Sequence, residues 1–425
     1  MKDNYDIAHY TYDMDRCIGC KGCVWVDHIY MPNVRFGVKC PSNAYKLFDA
    51  FAAMGREKIA LALLAGEINY SPSLLDIIYM CQLCGACDAG CKRNLDLEPL
   101  AALESLRVKC VKDGQGPLPA HKKVAQNIDG KGNRYGAPPG DRLKWITGDI
   151  KIGSQADIVY FPGCAASYVE QKIAQSTAGI LNKANINFML LDEDDACCGH
   201  PLISVGLVDQ ARGIAQKNMD ALKKRGAKTI LTSCAECYKT WKVDYPKLFS
   251  KSTEEMGYRV IHLVELVNDL INDGALVIKK GMEMRATYHD PCHLGRQGEA
   301  WTDWTGNRGR YGILDPPKNI RRGTNGVYQA PRDILSKIPG LDLVEMPRTR
   351  ENAFCCGAGG GVLDAYPDFA QWAAAERLSE VQSLAAGAVV SACPYCKRLF
   401  QDVSKKNKMN INVYDISEII SDCIE

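Results

Sequence analysis

Long apolar runs are missing from this chain of 425 residues. The richest, around Ile59 to Ala65, is about half the ~18 residues that a membrane-crossing helix needs, so no transmembrane segment is expected. A charge of one sign is missing as well: the formal net charge of +2 gives no warrant for a nucleic-acid or anionic-membrane partner. No apolar signal core precedes Cys17, so the expected location is cytoplasmic. A composition 46% hydrophobic and 24% charged excludes disorder, and the length calls for two or three domains. What the chain has in plenty is cysteine, at twenty residues.

In a reducing cytosol those thiols read as metal ligands or catalysts, and a chain of this size needs no disulfide staples. They fall into two kinds of cluster. The first kind comprises Cys17, Cys20 and Cys23, with Cys40-Pro41 after a gap, and Cys81, Cys84, Cys87 and Cys91. Three cysteines at successive intervals of three, with Gly19, Gly22, Gly85 and Gly90 among them, suit a turn wrapped around a cubane [4Fe–4S] cluster whose fourth ligand is remote. A zinc ribbon shows isolated Cys-x-x-Cys pairs instead. By the ferredoxin crossover, Cys17, Cys20 and Cys23 take Cys91, while Cys81, Cys84 and Cys87 take Cys40. The segment Val24 to Lys39 carries His28, read as a structural or surface histidine rather than a substitute ligand. Helical periodicity in Tyr45, Leu47, Phe48, Phe51, Met54 and Ile59 points to a helical two-cluster domain.

The second kind of cluster repeats. Cys164, the pair Cys197-Cys198-Gly199, and Cys234-Ala-Glu-Cys237 recur as Cys292, Cys355-Cys356-Gly357 and Cys393-Pro-Tyr-Cys396. The pairs lie 158 positions apart and the Cys-x-x-Cys motifs 159, which signals a duplicated unit. The first cysteines are only 128 apart, so the second copy holds an insertion, placed near 297–325. Short apolar strands are expected at Asp157 to Phe161, Phe188 to Leu191 and Thr229 to Thr232, each followed by a cysteine, with amphipathic helices at Ser167 to Ala184 and Val208 to Lys224. Copy two repeats the pattern with strands at Met284 to Tyr288, Asp342 to Glu345 and Gly387 to Ser391. Alternating strands and helices imply a parallel sheet, and ligands bind at the carboxyl ends of such strands. Five thiols per copy exceed what one tetrahedral zinc uses. Cys110 and Cys423 are left over and read as structural.

The chain resembles the catalytic subunit of heterodisulfide reductase in its fused form, over nearly its whole length. The resemblance is carried by both cysteine groups and by Asn127-Ile128-Asp129-Gly130, Gly132-Asn133-Arg134-Tyr135-Gly136, Asp141-Arg142-Leu143-Lys144-Trp145, Asp290-Pro291-Cys292-His293-Leu294-Gly295-Arg296 and Cys355 to Gly361. It implies a multidomain protein: an all-α, ferredoxin-like domain with two cubane [4Fe–4S] clusters (1–113), a linker (114–155), and two duplicated α/β cysteine-rich CCG domains (156–280 and 281–425). It further implies two noncubane [4Fe–4S] clusters, one held by Cys164, Cys197, Cys198, Cys234 and Cys237, the other by Cys292, Cys355, Cys356, Cys393 and Cys396.

What the resemblance implies for function divides. One reading is an electron-transfer subunit of a heterodisulfide-reductase-like complex, serving a class II benzoyl-CoA reductase of anaerobes. The second is a catalytic subunit that reduces a thiol-coenzyme disulfide at the paired noncubane clusters. The third is the iron–sulfur subunit of a glycolate- or lactate-type dehydrogenase. Gly357 to Gly361 follows a cysteine pair and lacks an acidic ribose partner at the right distance, so no flavin or NAD site of its own is expected. Electrons then come from partners, a flavin-containing subunit of the heterodisulfide reductase A type among them. His200, His289 and His293 are candidates to protonate leaving thiolates; alternatively they orient loops or hydrogen-bond cluster sulfurs. The insertion, with Trp301, Trp304, Arg308, Arg310, Tyr311, Lys318, Arg321 and Arg322, reads either as a docking or gating element or as a solvated loop.

Overall fold

A computed structural model describes residues 3–27, 33–191, 196–309, 312–318 and 321–424. His28, Arg310 and Tyr311 lie outside the described residues. The N-terminal third is helical, with helices Pro41–Lys46, Ala53–Leu64, Pro72–Tyr79, Ala86–Asn94 and Pro99–Lys112. Proline opens three of them at the first turn, where its missing N–H costs nothing. Their core gathers Met14, Ala60, Ile78, Tyr79, Leu106 and Cys110, so Cys110 packs as a small apolar residue. The periodicity read from Tyr45 to Ile59 is broken at Leu47, whose left-handed backbone (φ 51°) ends the helix Pro41–Lys46 and leaves Leu47 and Phe48 exposed. The linker stretch contains a helix, Pro119–Lys131, and buries Trp145 completely.

Two parallel sheets follow. In copy one, β1 (Ile158–Tyr160), β2 (Thr229–Thr232) and β3 (Arg259–His262) lie in that order, with Met189 bridged to β1 on its free side. In copy two, β4 (Met284–His289) lies between β7 (Leu341–Leu343) and β8 (Ala388–Ser391), and β9 (Asn412–Asp415) is at the edge. With the bridged Met189 segment counted as the second strand of copy one, both copies have the order 2-1-3-4. A two-stranded ribbon, β5 (Asn307–Arg308) and β6 (Leu314–Asp315), belongs to the insertion.

The fourth strand of each copy was not foreseen, because Arg259-Val-Ile-His and Asn412-Val-Tyr-Asp are short edge strands of mixed polarity. Both end in the N-cap of a helix. His262 caps Leu263–Asn272 and Asp415 caps Ile416–Cys423, each closing a capping box with a glutamate, Glu265 or Glu418. Cys423 is buried in the main core beside Ile419 and Ile420.

Candidate metal centres

The switch point of a 2-1-3-4 sheet lies between its first and third strands, where loops part at the carboxyl ends. Cys164 follows β1 in the helix Gly163–Tyr168, and Cys234 caps Ala235–Lys239 after β2. The pair Cys197-Cys198 follows the Met189 segment. Copy two places Cys292 after β4, Cys355-Cys356 after β7, and Cys393 as the cap of Pro394–Lys406 after β8. The glycine after each pair has a job that needs positive φ. Gly199 (φ 86°) and Gly357 (φ 102°) turn their N–H groups back onto the first sulfur of the pair, at 3.4 Å in both copies.

The sulfurs form two matching rows. In copy one, hydrogen-bonding contacts run Cys164–Cys197–Cys198–Cys237–Cys234. In copy two they run Cys292–Cys355–Cys356–Cys396–Cys393, with Cys396 and Cys356 sulfurs 3.2 Å apart. Two more contacts join the rows to each other and to the N-terminal domain: Cys234 meets Cys393, and Cys84 meets Cys355. In such a row one thiol ionises only at its neighbours' expense. Cys197 and Cys237 hold Cys198 down to about 5, while the contact with Cys197 pushes Cys164 far up. A set of five converging thiols becomes fully ligating only around multiply charged metal, which suits an iron–sulfur cluster.

The N-terminal cysteines converge on two further points. Burial pushes the Cys40 thiol up, with Cys81 and Cys84 adding to it; burial does the same to Cys91, with Cys20 adding. Cys23 feels both Cys40 and Cys17 and stands between the two sets. Buried cations surround these cysteines. Arg107 donates to the carbonyls of Ile78, Tyr79, Cys81, Ser204 and Gly360 at 2.6–3.2 Å. Arg296 donates to those of Cys84, Glu351 and Ala353 at 2.6–3.0 Å, and Arg56 to those of Phe51, Ile77 and Met80 at 2.5–2.7 Å. Burial lowers the Lys39 ammonium to about 8, and Cys87 and Cys23 draw it back up. Carbonyls do not neutralise a buried charge. An anion must, and a cubane core with four thiolates carries about −2. The donor set and its cations therefore fit 4Fe–4S clusters.

Of the three histidines, the structure brings two together and sets one apart. His200 of copy one and His293 of copy two meet edge to face, ring centroids 4.6 Å apart, in the core. Glu236, between Cys234 and Cys237, offers an oxygen within 4.8 Å of nitrogens from both. Burial raises that carboxyl to about 7, and Asp244 lies 3.5 Å from His200 Nδ1. His289 instead faces Cys356 and Cys396, held by Arg377 Nε donating to its Nδ1 at 3.1 Å. Glu236, Asp244 and Arg296 are neighbours that sequence reasoning missed. One signal existed for Glu236: it is a charged residue inside a Cys-x-x-Cys motif, where copy two has Tyr395.

The described residues of the insertion are mostly exposed or half-buried, yet several of them line an open cavity of about 690 Å³ between the N-terminal domain and copy one. Trp301, Trp304 and Arg308 form one wall, and Lys239 and Asp244, the latter beside His200, form another. Arg308 lies 4.3 Å over the Tyr12 ring and Lys318 pairs with Glu98. Beyond the insertion, Arg332 grips Asp290 through two bonds of 2.7 and 2.9 Å, which fixes the loop carrying Cys292.

Known proteins show the same arrangement. A family described as a 4Fe-4S dicluster domain matches residues 13–95, and one described as a cysteine-rich domain matches 158–242 and again 317–401. The second match begins beyond Cys292. The D subunit of the dihydromethanophenazine:CoB--CoM heterodisulfide reductase of Methanosarcina mazei is 37% identical, across 97% of this chain and 94% of that protein. Its Methanosarcina barkeri counterpart is 34% identical over the same shares. The B subunit of the fumarate reductase (CoM/CoB) of Methanothermobacter marburgensis is 30% identical, across 81% of this chain and 61% of that protein. Among the described residues, no helix is long and apolar enough to cross a membrane.

Proposed function

The chain belongs to the family of heterodisulfide reductase D subunits, iron–sulfur oxidoreductase subunits with a 4Fe-4S dicluster domain and two cysteine-rich domains, and on that premise we propose that it is the electron relay of such a complex. In this reading Cys17, Cys20, Cys23 and Cys91 hold one cubane cluster, and Cys81, Cys84, Cys87 and Cys40 hold the other. The two five-cysteine rows hold noncubane clusters. Bound clusters supply one-electron transfer; the chain supplies their order. The observation that carries the proposal is the pair of contacts Cys84–Cys355 and Cys234–Cys393, which supports a series running from the N-terminal domain to copy two to copy one. Arg296 and Gln297 reinforce the first junction by bonding the carbonyls of Cys84 and Leu83. A cytoplasmic location and a flavin-containing donor subunit of the A type complete the proposal. A class II benzoyl-CoA reductase complex is one setting that needs such a relay.

A second reading, reductive cleavage of a thiol-coenzyme disulfide, is favoured by His200 and His293 meeting between the two rows. In this reading they would supply the proton for the leaving thiolate, and the adjoining cavity reaches Asp244. Anaerobic iron analysis and a turnover assay test both. About sixteen irons per chain are expected, and well below that number contradicts four clusters. Turnover of a coenzyme disulfide with an artificial donor would remove the pure relay; its absence beside rapid reduction of both rows would remove the reductase.

A further inference from the structure

We propose that His200, Glu236 and His293 form a site for one zinc ion, separate from the cysteine rows and shared between the two copies. The inference goes beyond the relay and the reductase readings, because none of its ligands is a cysteine. One ligand atom from each of the three side chains lies within 4.8 Å of the other two. All three residues are buried: His293 is 4% exposed, His200 5% and Glu236 6%. Two ligands of a tetrahedral zinc stand about 3.3 Å apart, so at most about 1.5 Å remains to be closed, which side-chain rotation supplies.

A second observation points to the ion. Neither ring nitrogen of His200 has a hydrogen-bond partner among the described residues, and neither has Asp244 Oδ2, which stands 3.5 Å from His200 Nδ1. Buried polar atoms left unpaired are costly, and such a gap calls for a ligand. An ion takes one nitrogen of the ring while Asp244 faces the other, the carboxylate–histidine–metal arrangement that orients a ligating imidazole. Lys239 fixes that carboxylate by donating to its other oxygen at 2.8 Å. Glu236 also needs a cation. Arg134, which lines the same small pocket, is committed to Asp364 by two bonds of 2.8 and 2.9 Å. That pocket, of about 10 Å³, has room for about one water as a fourth ligand. Two imidazoles and a carboxylate are a donor set that zinc takes. The site arises once per chain, since copy two has Ala358 and Tyr395 in place of His200 and Glu236, and copy one has Ala165 in place of His293. The ion therefore clips copy one to copy two.

The test uses the full cluster-loaded chain, given zinc chloride without air and passed through a desalting column. Zinc is the probe because it is counted separately from cluster iron. About one zinc per chain is expected to stay bound. Zinc-edge X-ray absorption should show nitrogen and oxygen near ~2.0–2.1 Å and no sulfur near ~2.3 Å. His293→Ala and Glu236→Gln should each weaken zinc at least about tenfold in competition with a chelating dye, with cluster iron unchanged. His9→Asn, at an exposed histidine, should bind zinc as the wild type does. No retained zinc overturns the proposal, as does sulfur in its shell, which would place the ion in a cysteine row. Equal zinc affinity in the wild type and both variants overturns it too, by showing an adventitious ion only. The wild-type spectrum decides even if a variant misfolds. Failure of the relay reading looks different: electrons do not reach the two rows, whatever the zinc content.

Discussion

Copy one and copy two of the cysteine-rich unit share a sheet order, a row of five sulfurs and a glycine that turns an N–H onto the first sulfur of the pair. They differ in side chains that stand beside the row. Copy one supplies Glu236 and His200 where copy two has Tyr395 and Ala358; copy two supplies His293 where copy one has Ala165. Copy two meets Cys84 through Cys355 and Arg296, while copy one is tied to the same domain by the buried ions Glu104, Lys239 and Lys247. Duplication thus preserved the cysteine frame, while side chains beside it diverged.

The sharpest way to break this contrast is to remove one row at a time. Cys356→Ala and Cys198→Ala are each expected to lose about four of about sixteen irons. The Cys356 variant should also leave copy one unreduced by donors acting at the N-terminal domain, whereas the Cys198 variant should leave copy two fully reducible. Rapid-freeze electron paramagnetic resonance reads the difference, and equal behaviour of the variants would erase the proposed order. Next in size is Arg296→Met. It strands the carbonyls of Cys84, Glu351 and Ala353 and removes a buried cation, at a cost of about 3–5 kcal/mol in the stability read from denaturant unfolding. Lys247→Met should destabilise by a similar amount, since it leaves Glu104 short of a partner, yet pass electrons at the wild-type rate.

The smallest effect compares the two helix caps. Burial raises Asp415 to about 7, above its ordinary 3.8, so the folded state holds a proton that the unfolded chain releases. Its contribution is present below pH ~4 and is lost as pH rises to ~7. Burial lowers His262 to about 4 from 6.5, so its penalty grows as pH falls from ~6.5 to ~4. Against Asp415→Asn, wild type should weaken towards neutral pH; against His262→Asn, towards acid. Each change is of order 1–3 kcal/mol, measured by denaturant unfolding across that range.

Much of this architecture was legible because it is written in spacing. Intervals of 158 and 159 announced the duplication, and the apolar runs at 158–160 and 229–232 announced parallel strands with cysteines at their ends. Periodicity failed where the local backbone turns, as at Leu47, and where edge strands carry mixed polarity, as at β3 and β9. The pairing of His200 with His293 was out of reach, since it depends on how two copies pack and not on either alone. The contact of Cys84 with Cys355 belongs to the same class, spanning 271 positions.

The order of electron arrival tests the central claim most directly. After rapid mixing of the loaded chain with a one-electron donor, resonance signals frozen at successive times should appear first from the N-terminal sites, then from copy two, and last from copy one. Cys84→Ser should delay both later signals together. Signals from copy one that rise before those of copy two, or that ignore Cys84→Ser, would contradict the series.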